Sequence, residues 1–347
     1  MVSLNPRGGY RVVVLAPVYD DDAAAALLLQ HLERAFTGSG VELQVLLVDD
    51  GSPVPLIRQF QPQSSMQVDV LRLKRNVGHQ RAIALGTAYV QRHIPCDAML
   101  VMDADGEDRP EDAVQLVARC REQENEAIVF AERTRRSEST LFRGFYWIYQ
   151  LLHWFVTGIR IPVGNFSVAP AASLAALVTL PALWNHFAAA IFHARLPREL
   201  VPTIRGQRYS GHSKMNFVGL VVHGLQAISV FIEVVTVRLL LAVCLALGGC
   251  GLLVMVIVAA RFGFDVAIPT WSLYLLGELL IVGLALSMGS FALTLGYLAR
   301  RNTLDFIPMR DYRFFIQGIH RVVPRHLTTP EVFRPVEFAD LSKAANE

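Results

Sequence analysis

The sequence predicts an α/β domain with a mostly parallel sheet, followed by an apolar, membrane-associated helical part. Short apolar runs alternate with helical segments over the first hundred residues, which is typical of parallel sheets. Polar clusters follow these runs, at the strand ends where such sheets bind ligands. Hydrophobic residues make up 53% of the 347 residues and charged residues only 18%. This composition is too apolar for an ordinary soluble protein, and the apolar excess lies in the C-terminal third.

The elements of the α/β part follow one another at regular intervals. They are a strand at 11–16, a helix at 22–36, strands at 45–48 and 68–73, a helix at 79–92, and a strand at 98–102. The strands are apolar throughout, which predicts burial on both faces of the sheet. The polar clusters that follow the strands occupy 17–21, 49–52, 74–80 and 103–111. Four such clusters in one half-domain indicate a ligand site.

The most charged of these clusters follows the last predicted strand. Asp103, Asp105, Glu107 and Asp108 place four carboxylates within six residues, and Pro110 can open a helix directly afterwards. Crowded carboxylates repel one another, and their hard oxygen atoms suit Mg²⁺ or Mn²⁺. The alternative is a solvated acidic loop before a helix N-terminus, where acidic residues are also favoured. The neighbouring clusters favour the metal site.

Several function classes are disfavoured by the sequence. It has neither a G-x-G-x-x-G after the first strand nor a G-x-x-x-x-G-K-[ST], which counts against dinucleotide oxidoreductases and P-loop enzymes. The formal net charge is only +2, which does not indicate a nucleic-acid partner. The four cysteines show no metal spacing, so we expect reduced packing residues. The N-terminus lacks the apolar core of a signal peptide.

The order of the clusters carries a family resemblance. Pro17-Val18-Tyr19, Asp49-Asp50-Gly51-Ser52, Arg75-Asn76-Val77-Gly78-His79-Gln80 and Asp103-Ala104-Asp105 resemble the ordered motifs of family 2 glycosyltransferases of the GT-A fold. More narrowly, roughly residues 10–300 resemble polyprenyl-phosphate glycosyltransferases, the group that includes dolichol-phosphate mannose synthase. The resemblance implies that the D-D-G-S turn contacts a nucleoside. It also implies that the D-x-D stretch binds a divalent metal on a nucleotide diphosphate.

The resemblance implies a set of site residues. The metal ligands would be Asp103, Asp105 and Glu107, and the catalytic candidates are Asp105 and Asp108, the latter as a base. The donor-binding candidates are Pro17, Tyr19, Asp21, Asp49, Asp50, Asn76, Gly78, Asp103, Arg208 and Lys214. The chain departs from its relatives at the acidic stretch, where Gly106, Glu107 and Arg109 replace the common Leu, Gln and Pro. The added charge of Glu107 could alter the choice of metal. A second departure is Asp20-Asp21, where the family often has Asn-Glu.

Basic residues follow the predicted sheet. By resemblance Arg133 and Arg143 are candidates for binding an acceptor phosphate, whereas the alternative is a solvated basic face. The aromatic-rich helix at 141–156 either packs on the sheet or lies at a membrane surface. The loop at 205–214 resembles the R-x-x-G-x-S-K segment that closes over a donor diphosphate. The alternative is a basic patch that touches anionic lipid, and the two roles are compatible.

Two apolar runs, at 239–260 and 271–298, are long enough to cross a membrane. Arg238 precedes the first and Arg300-Arg301 follow the second, which places both ends in the cytoplasm. The segment at 217–237 is expected to be an interfacial helix, with a third span as the alternative. Small residues recur along the second run and could hold the hairpin together or join protomers of a homo-oligomer. These are Ala285, Gly289, Ala292 and Gly296.

The predicted organisation is therefore a GT-A domain at 1–216, an interfacial helix at 217–238, two transmembrane helices at 239–300 and a cytosolic tail at 301–347. The expected function is inverting, metal-dependent transfer of a sugar from a nucleotide-sugar to a polyprenyl phosphate. The expected place is the cytosolic face of the inner or plasma membrane of a bacterium-like cell, in cell-envelope glycosylation. The alternatives are another lipid acceptor, such as diacylglycerol or a sphingoid lipid, and a non-catalytic membrane subunit.

Overall fold

The structure, a computed structural model, describes residues 9–56, 66–135, 150–209, 217–263, 269–300 and 306–322. The chain divides into two compact units. The first comprises residues 1–139, 161–230 and 306–347, and the second comprises residues 140–160 and 231–305. The predicted site residues Arg143 and Lys214 lie outside the described residues.

The first unit is built on one sheet. Its strands are β1 (Tyr10–Val18), β2 (Val41–Asp49), β3 (Gln67–Leu73), β4 (Ala98–Val101), β5 (Ile128–Arg135), β6 (Ser167–Pro170), β7 (Arg198–Ile204) and β8 (Ile316–Val322). Helices α1 (Asp22–Phe36), α2 (His79–His93), α3 (Pro110–Glu122), α4 (Ala171–Leu177), α5 (Phe187–His193), α6 (Phe217–Ser229) and α9 (Pro308–Asp311) belong to the same unit. Helices α7 (Ile232–Gly263) and α8 (Thr270–Arg300) lie in the second.

The sheet is mostly parallel, as predicted. Its strand order is β7-β5-β6-β4-β1-β2-β3-β8, and the central strands β4, β1, β2 and β3 run parallel. The register pairs Val18 with Asp49 and Leu15 with Val101. The carboxyl ends of the central strands therefore meet at one edge, where the polar clusters follow. The GT-A fold class and the two C-terminal apolar helices are confirmed.

The central strands are buried on both faces because helices cover both sides. On one face, α1 and α3 pack through residues such as Leu28, Leu32 and Leu116. On the other face, α2 approaches so closely that a Cβ added to Gly86 would lie 2.4 Å from Leu15 Cδ1 and 2.9 Å from Val48 Cγ2. The residues after β2, β3 and β4 are thus held by a rigid core.

The end of the chain returns to the first unit. Strand β8 pairs antiparallel with β3, and Lys74 N donates to Phe315 O at 2.9 Å. This differs from the predicted cytosolic tail at 301–347, because residues 316–322 are a strand of the sheet. The physical reason is that β8 completes the hydrogen bonds of an otherwise open edge. Its sequence, I-Q-G-I-H-R-V, mixes apolar and polar residues and lacks the continuous apolar run that would predict a buried strand.

The boundary of the predicted interfacial helix also differs. Helix α6 ends at Ser229, and α7 begins at Ile232 and not at residue 239. The thirteen residues of α6 span only about 20 Å, too short to cross a hydrocarbon core about 30 Å thick. This length disfavours a third span. Neither Pro nor a turn motif marks the break between the helices, so the sequence did not reveal it.

The second unit contains the two long apolar helices. By length and composition, α7 and α8 are each able to cross a membrane. They pack on each other: a Cβ on Gly283 would lie 2.6 Å from Leu247 Cδ2, and Tyr297 donates a hydrogen bond to Glu233. The predicted small-residue face of α8 does not take part in this packing. It is exposed, and a Cβ on Gly289 or Gly296 would meet nothing within 4 Å. That face does not hold the hairpin together.

Replacing Gly86 should destabilise the first unit. A methyl group in Gly86→Ala must displace Leu15 and Val48, and such overpacking costs about 1–3 kcal/mol. This exceeds the gain of about 1 kcal/mol from replacing a helical glycine. We expect a lower melting temperature in thermal unfolding of the detergent-solubilised protein. Gly277→Ala in α8 is the matched control, because a Cβ there meets nothing within 4 Å. Equal melting of Gly86→Ala and the wild type would contradict this packing.

Candidate active site

The clusters after β1, β2 and β3 are tied together by hydrogen bonds. Asp20 N donates to Ser52 Oγ at 2.9 Å, which joins the first cluster to the second. Asp50 joins the second to the third, since its Oδ1 accepts from Val77 N at 2.8 Å and its Oδ2 from Gly78 N at 3.0 Å. These contacts join the three clusters into one wall at the carboxyl edge of the sheet.

The two aspartates predicted to hold a nucleoside are both in this wall. Asp49 is 0% and Asp50 is 3% exposed. Asp49 Oδ1 accepts from Ser52 N at 2.9 Å and Oδ2 from Leu56 N at 3.3 Å. Both carboxylates therefore bind the backbone of their own and neighbouring loops. They fix the shape of the turn that a nucleoside would meet.

Gly51 makes the turn possible. Its φ is +71°, a conformation that L side chains rarely adopt, and a Cβ there would lie 2.4 Å from the backbone carbon of Arg75. The remaining donor candidates surround the turn. Pro17 is buried at the end of β1, Tyr19 is 42% exposed beyond it, Asp21 precedes α1, Asn76 is exposed, and Gly78 precedes α2.

The acidic stretch is folded upon itself. Asp103 N donates to Asp108 Oδ2 at 2.9 Å, and Glu107 N donates to Asp105 Oδ1 at 2.9 Å. Gly106 lies between them with φ of +90°. Helix α3 then begins at Pro110, as the sequence suggested. This turn gathers four carboxylates in a small volume at the end of β4.

Each of the four carboxylates faces a cationic or imidazole side chain. The pairs are His79 Nε2–Asp103 Oδ1 at 3.2 Å, Arg208 Nη2–Asp105 Oδ2 at 2.8 Å, Arg205 Nη2–Glu107 Oε2 at 2.7 Å and Arg133 Nη2–Asp108 Oδ1 at 2.9 Å. The partners come from α2, from β5 and from the segment after β7. These four carboxylates and their partners are called the acidic centre below. Arg133, which the sequence predicted to bind the acceptor phosphate, thus lies within it.

The carboxylates differ in their readiness to ionise. Burial and the neighbouring charge of Asp103 raise the pKa of Asp108 to about 7, although Arg133 opposes the rise. Burial and Asp103 also raise the pKa of Asp105. Burial likewise favours a higher pKa at Asp103, but His79 and Arg133 outweigh it and the net pKa is lowered. Of these three, Asp103 is the carboxylate most readily ionised.

The pair Asp103 and Asp105 fits a divalent cation. Both offer hard oxygen atoms at one strand end, and Mg²⁺ sites on phosphate substrates commonly use only one or two carboxylates. Among the described residues, no group of three or more His, Cys, Asp or Glu side chains is arranged as a metal site. Further ligands would therefore come from a phosphate-bearing substrate and water. Glu107 lies beside two arginines, Arg205 and Arg133.

Some side chains of the site were not assigned a role from the sequence. His79 contacts Asn165 Nδ2 at 3.2 Å in addition to Asp103. The ring of His223 in α6 packs against that of His186, with ring centroids 4.8 Å apart and the ring planes tilted by 45°, and the pKa of His223 is lowered by burial and by the charge of His79. His186 and His223 lack metal spacing in the sequence. Only the fold shows that His223 lies near the acidic centre.

Comparison with protein families supports a glycosyltransferase domain. Residues 13–172 match the family model described as Glycosyl transferase family 2. This match spans β1 to β6 and includes the whole acidic stretch.

Two curated relatives are both named as uncharacterized glycosyltransferases. YkcC of Bacillus subtilis (strain 168) is 26% identical over 284 residues, covering 80% of this chain and 85% of the relative. The protein sll0501 of Synechocystis sp. (strain ATCC 27184 / PCC 6803 / Kazusa) is 26% identical over 210 residues, covering 59% of this chain and 64% of the relative. The comparisons support glycosyltransferase activity at this coarse level.

Solved structures share only a distant likeness. Mannosyl-3-phosphoglycerate synthase from Rubrobacter xylanophilus has 15% identity and a TM-score of 0.46, covering 64% of this chain and 72% of that protein. Glucosyl-3-phosphoglycerate synthase from Mycobacterium tuberculosis, solved with Mn²⁺, UDP-glucose and phosphoglyceric acid, has 15% identity and a TM-score of 0.47, covering 66% and 80%. At this distance their substrates say nothing about the substrates of this chain.

The burial of Asp50 predicts a pH dependence. Burial raises the pKa of Asp50 to about 6, above its value of about 3.9 in an unfolded chain. The folded state therefore binds the proton more tightly, and this contribution to stability falls as pH rises from about 4 to about 6. We expect the melting temperature of the wild type relative to Asp50→Asn to fall over that range and to level off above about pH 7.

Asp311→Asn is the control for this measurement. Arg310 lowers the pKa of Asp311, so the melting temperature of the wild type relative to Asp311→Asn should show no fall over this range, and any slope near pH 4 should be a rise. A melting temperature of the wild type that rises with pH relative to that of Asp50→Asn would contradict the raised pKa of Asp50.

Proposed function

We propose that this chain is an inverting, metal-dependent glycosyltransferase that moves a sugar from a nucleotide-sugar to a polyprenyl phosphate. The observation that carries the proposal is the acidic stretch after β4. It lies within the match to Glycosyl transferase family 2, and it combines two half-buried carboxylates at the sheet edge, Asp103 and Asp105, with cations suited to phosphate groups. A nucleotide diphosphate and a phosphate monoester both need such cations.

The donor would lie along the wall made by the first three clusters. Asp49 and Asp50 hold the turn against which the nucleoside rests, and Tyr19 offers an exposed ring beside it. Arg208 is within reach of the diphosphate because it already contacts Asp105. These residues support nucleotide binding.

Asp103 and Asp105 would hold Mg²⁺ or Mn²⁺, which when bound neutralises leaving-group charge on the diphosphate as a Lewis acid. The protein contributes the positions of these carboxylates through β4 and through the hydrogen bonds of the folded turn. His79 helps to keep Asp103 ionised, as shown by the lowered pKa of that carboxyl. Asp105 has its charge balanced by Arg208 until a donor arrives.

Arg133 is the candidate for the acceptor phosphate, and Asp108 holds it. Asp108 is 3% exposed, and its two oxygens accept from Arg133 Nη2 and Asp103 N. This geometry favours a positioning role for Asp108 over the base predicted from the sequence. A phosphate monoester is already largely dianionic near neutral pH, since its second pKa is about 6. Such an acceptor needs little help from a base, whereas a hydroxyl acceptor would need a base to remove its proton.

A lipid acceptor is supported by the apolar surfaces of the chain. Helices α7 and α8 are long and apolar enough to span a membrane. Helix α6, which precedes them, exposes Val221, Val222 and Leu225 on one side, as expected for a helix at a membrane surface. The arginines that flank the spans favour a cytosolic catalytic domain. We propose the inner or plasma membrane of a bacterial cell as the location.

Loss of Asp105 should remove catalysis. In a transfer assay with Mg²⁺ or Mn²⁺, a labelled nucleotide-sugar and a polyprenyl phosphate, Asp105→Ala should lower kcat on the order of 10²-fold or more, because charge on the leaving group is no longer balanced. Glu111→Ala serves as the control, since Glu111 is largely exposed on α3. Undiminished transfer by the wild type after chelation of divalent metal would exclude the metal-dependent mechanism.

Substitution of Arg133 should affect the acceptor more than the donor. With Arg133→Gln we expect the KM for polyprenyl phosphate to rise about tenfold, since a charge-assisted contact is lost, with a smaller change in the KM for the donor. Arg133→Lys retains the charge, so its KM for polyprenyl phosphate should lie between those of the wild type and Arg133→Gln. The same assay should include diacylglycerol as a competing acceptor. Preferred transfer to diacylglycerol would replace polyprenyl phosphate as the acceptor in this proposal.

A further inference from the structure

Two segments lie directly against each other at the acidic centre, namely the acidic turn at 103–108 and the segment at 205–209 after β7. Gly206 N donates to Glu107 O and Tyr209 N donates to Asp105 O, both at 2.8 Å. A Cβ on Gly206 would lie 2.3 Å from Gly106 O, so the backbones touch. The segment after β7 is therefore docked on the acidic turn.

The Glu107 side chain takes part in this docking. Its Oε2 accepts from Arg205 Nη2 at 2.7 Å and from Arg205 Nε at 3.1 Å, and Arg133 Nη1 lies 3.8 Å from the same oxygen. The Glu107 side chain is 17% exposed. A dication bound to this carboxylate would stand close to two guanidinium groups and be repelled by both. The surroundings of Glu107 thus disfavour a metal.

We infer that Glu107 is a positioning residue and not a metal ligand: its ion pair with Arg205 fixes the segment at 205–209 on the acidic turn. The expected effect on donor binding rests on the proposed function, whereas the docking of the segment rests on the observed contacts alone. The position of Arg208 depends on the same segment. Arg208 follows Arg205 by three residues and contacts Asp105 Oδ2 at 2.8 Å. Fixing Arg205 therefore holds Arg208 beside the place of the donor diphosphate.

The two ion pairs have different expected fates on donor binding. Asp105 is needed for the metal, so Arg208 must leave it and turn to the diphosphate. Glu107 and Arg205 have no such competitor and stay paired, which lets the segment pivot without leaving the turn. This assignment also gives a reason for the departure at residue 107. A glutamine there would be neutral, whereas glutamate supplies the charge that Arg205 requires.

Hydrogen exchange tests the docking in the absence of donor and metal. We compare Glu107→Ala, Arg205→Ala and the double variant, with Glu111→Ala as a matched acidic control on the neighbouring helix. Exchange at the amides of Gly206 and Tyr209 should become about tenfold faster in each single variant, because both amides lose the geometry of their hydrogen bonds. The double variant should show no further increase, since the two side chains act as one pair. Unchanged exchange in Glu107→Ala would overturn the inference.

Metal and donor binding distinguish a positioning residue from a ligand. The affinity of the donor-free protein for Mn²⁺, measured by calorimetry, should stay within about twofold in Glu107→Ala. The donor KM should rise about tenfold in both single variants and no further in the double, with kcat changed less. A tenfold loss of Mn²⁺ affinity that persists in the Arg205→Ala background would make Glu107 a ligand. If the wild type transfers no sugar, the proposed function fails, while the exchange experiment still decides the docking.

Discussion

Four carboxylates at the end of one strand repel one another, and the site depends on how that repulsion is balanced. Asp103, Asp105, Glu107 and Asp108 are each met by His79, an arginine or two arginines. These partners come from parts of the chain between 24 and 103 residues away in sequence, as in His79–Asp103 and Arg208–Asp105. The acidic turn therefore draws α2, β5 and the segment after β7 to one edge of the sheet, where a phosphate-bearing substrate can be bound.

The ion pairs differ in how easily they can be separated. Arg133 and Asp108 are held by further hydrogen bonds at a nearly inaccessible carboxylate, so separating them would leave a buried charge without a partner, which is strongly unfavourable. In the Arg208–Asp105 pair the carboxylate side chain is more accessible, at 18% exposed against 3% for Asp108. A dication together with a diphosphate can replace that contact without a large change in local charge. The Arg208–Asp105 pair is thus suited to exchange and the Arg133–Asp108 pair to support.

Local patterns in the sequence predicted the core of this arrangement. The apolar runs of β1 to β4 are visible because a doubly covered parallel strand must be apolar on both faces, and the polar clusters follow because the strands end at one edge. β8 was not predictable in this way, because an edge strand such as Ile316–Val322 is defined by backbone pairing with a distant partner. The break between α6 and α7 lacks any turn motif. Arg205 and His223 reach the site only through tertiary contacts, which no local pattern reveals.

The same limit explains why residue type alone misassigns carboxylates. The sequence predicted ligand-binding or catalytic roles for three buried carboxylates, Asp49, Asp50 and Asp108. In the structure both oxygens of each accept hydrogen bonds from backbone amides or from an arginine. Buried carboxylates need such donors, because a charge taken out of water without hydrogen bonds is very unfavourable. Their effect on a substrate therefore passes through the turn or the guanidinium that they hold. In the proposed site, direct contact with a metal would be left to Asp103 and Asp105, and this division would let one short acidic turn both bind and position.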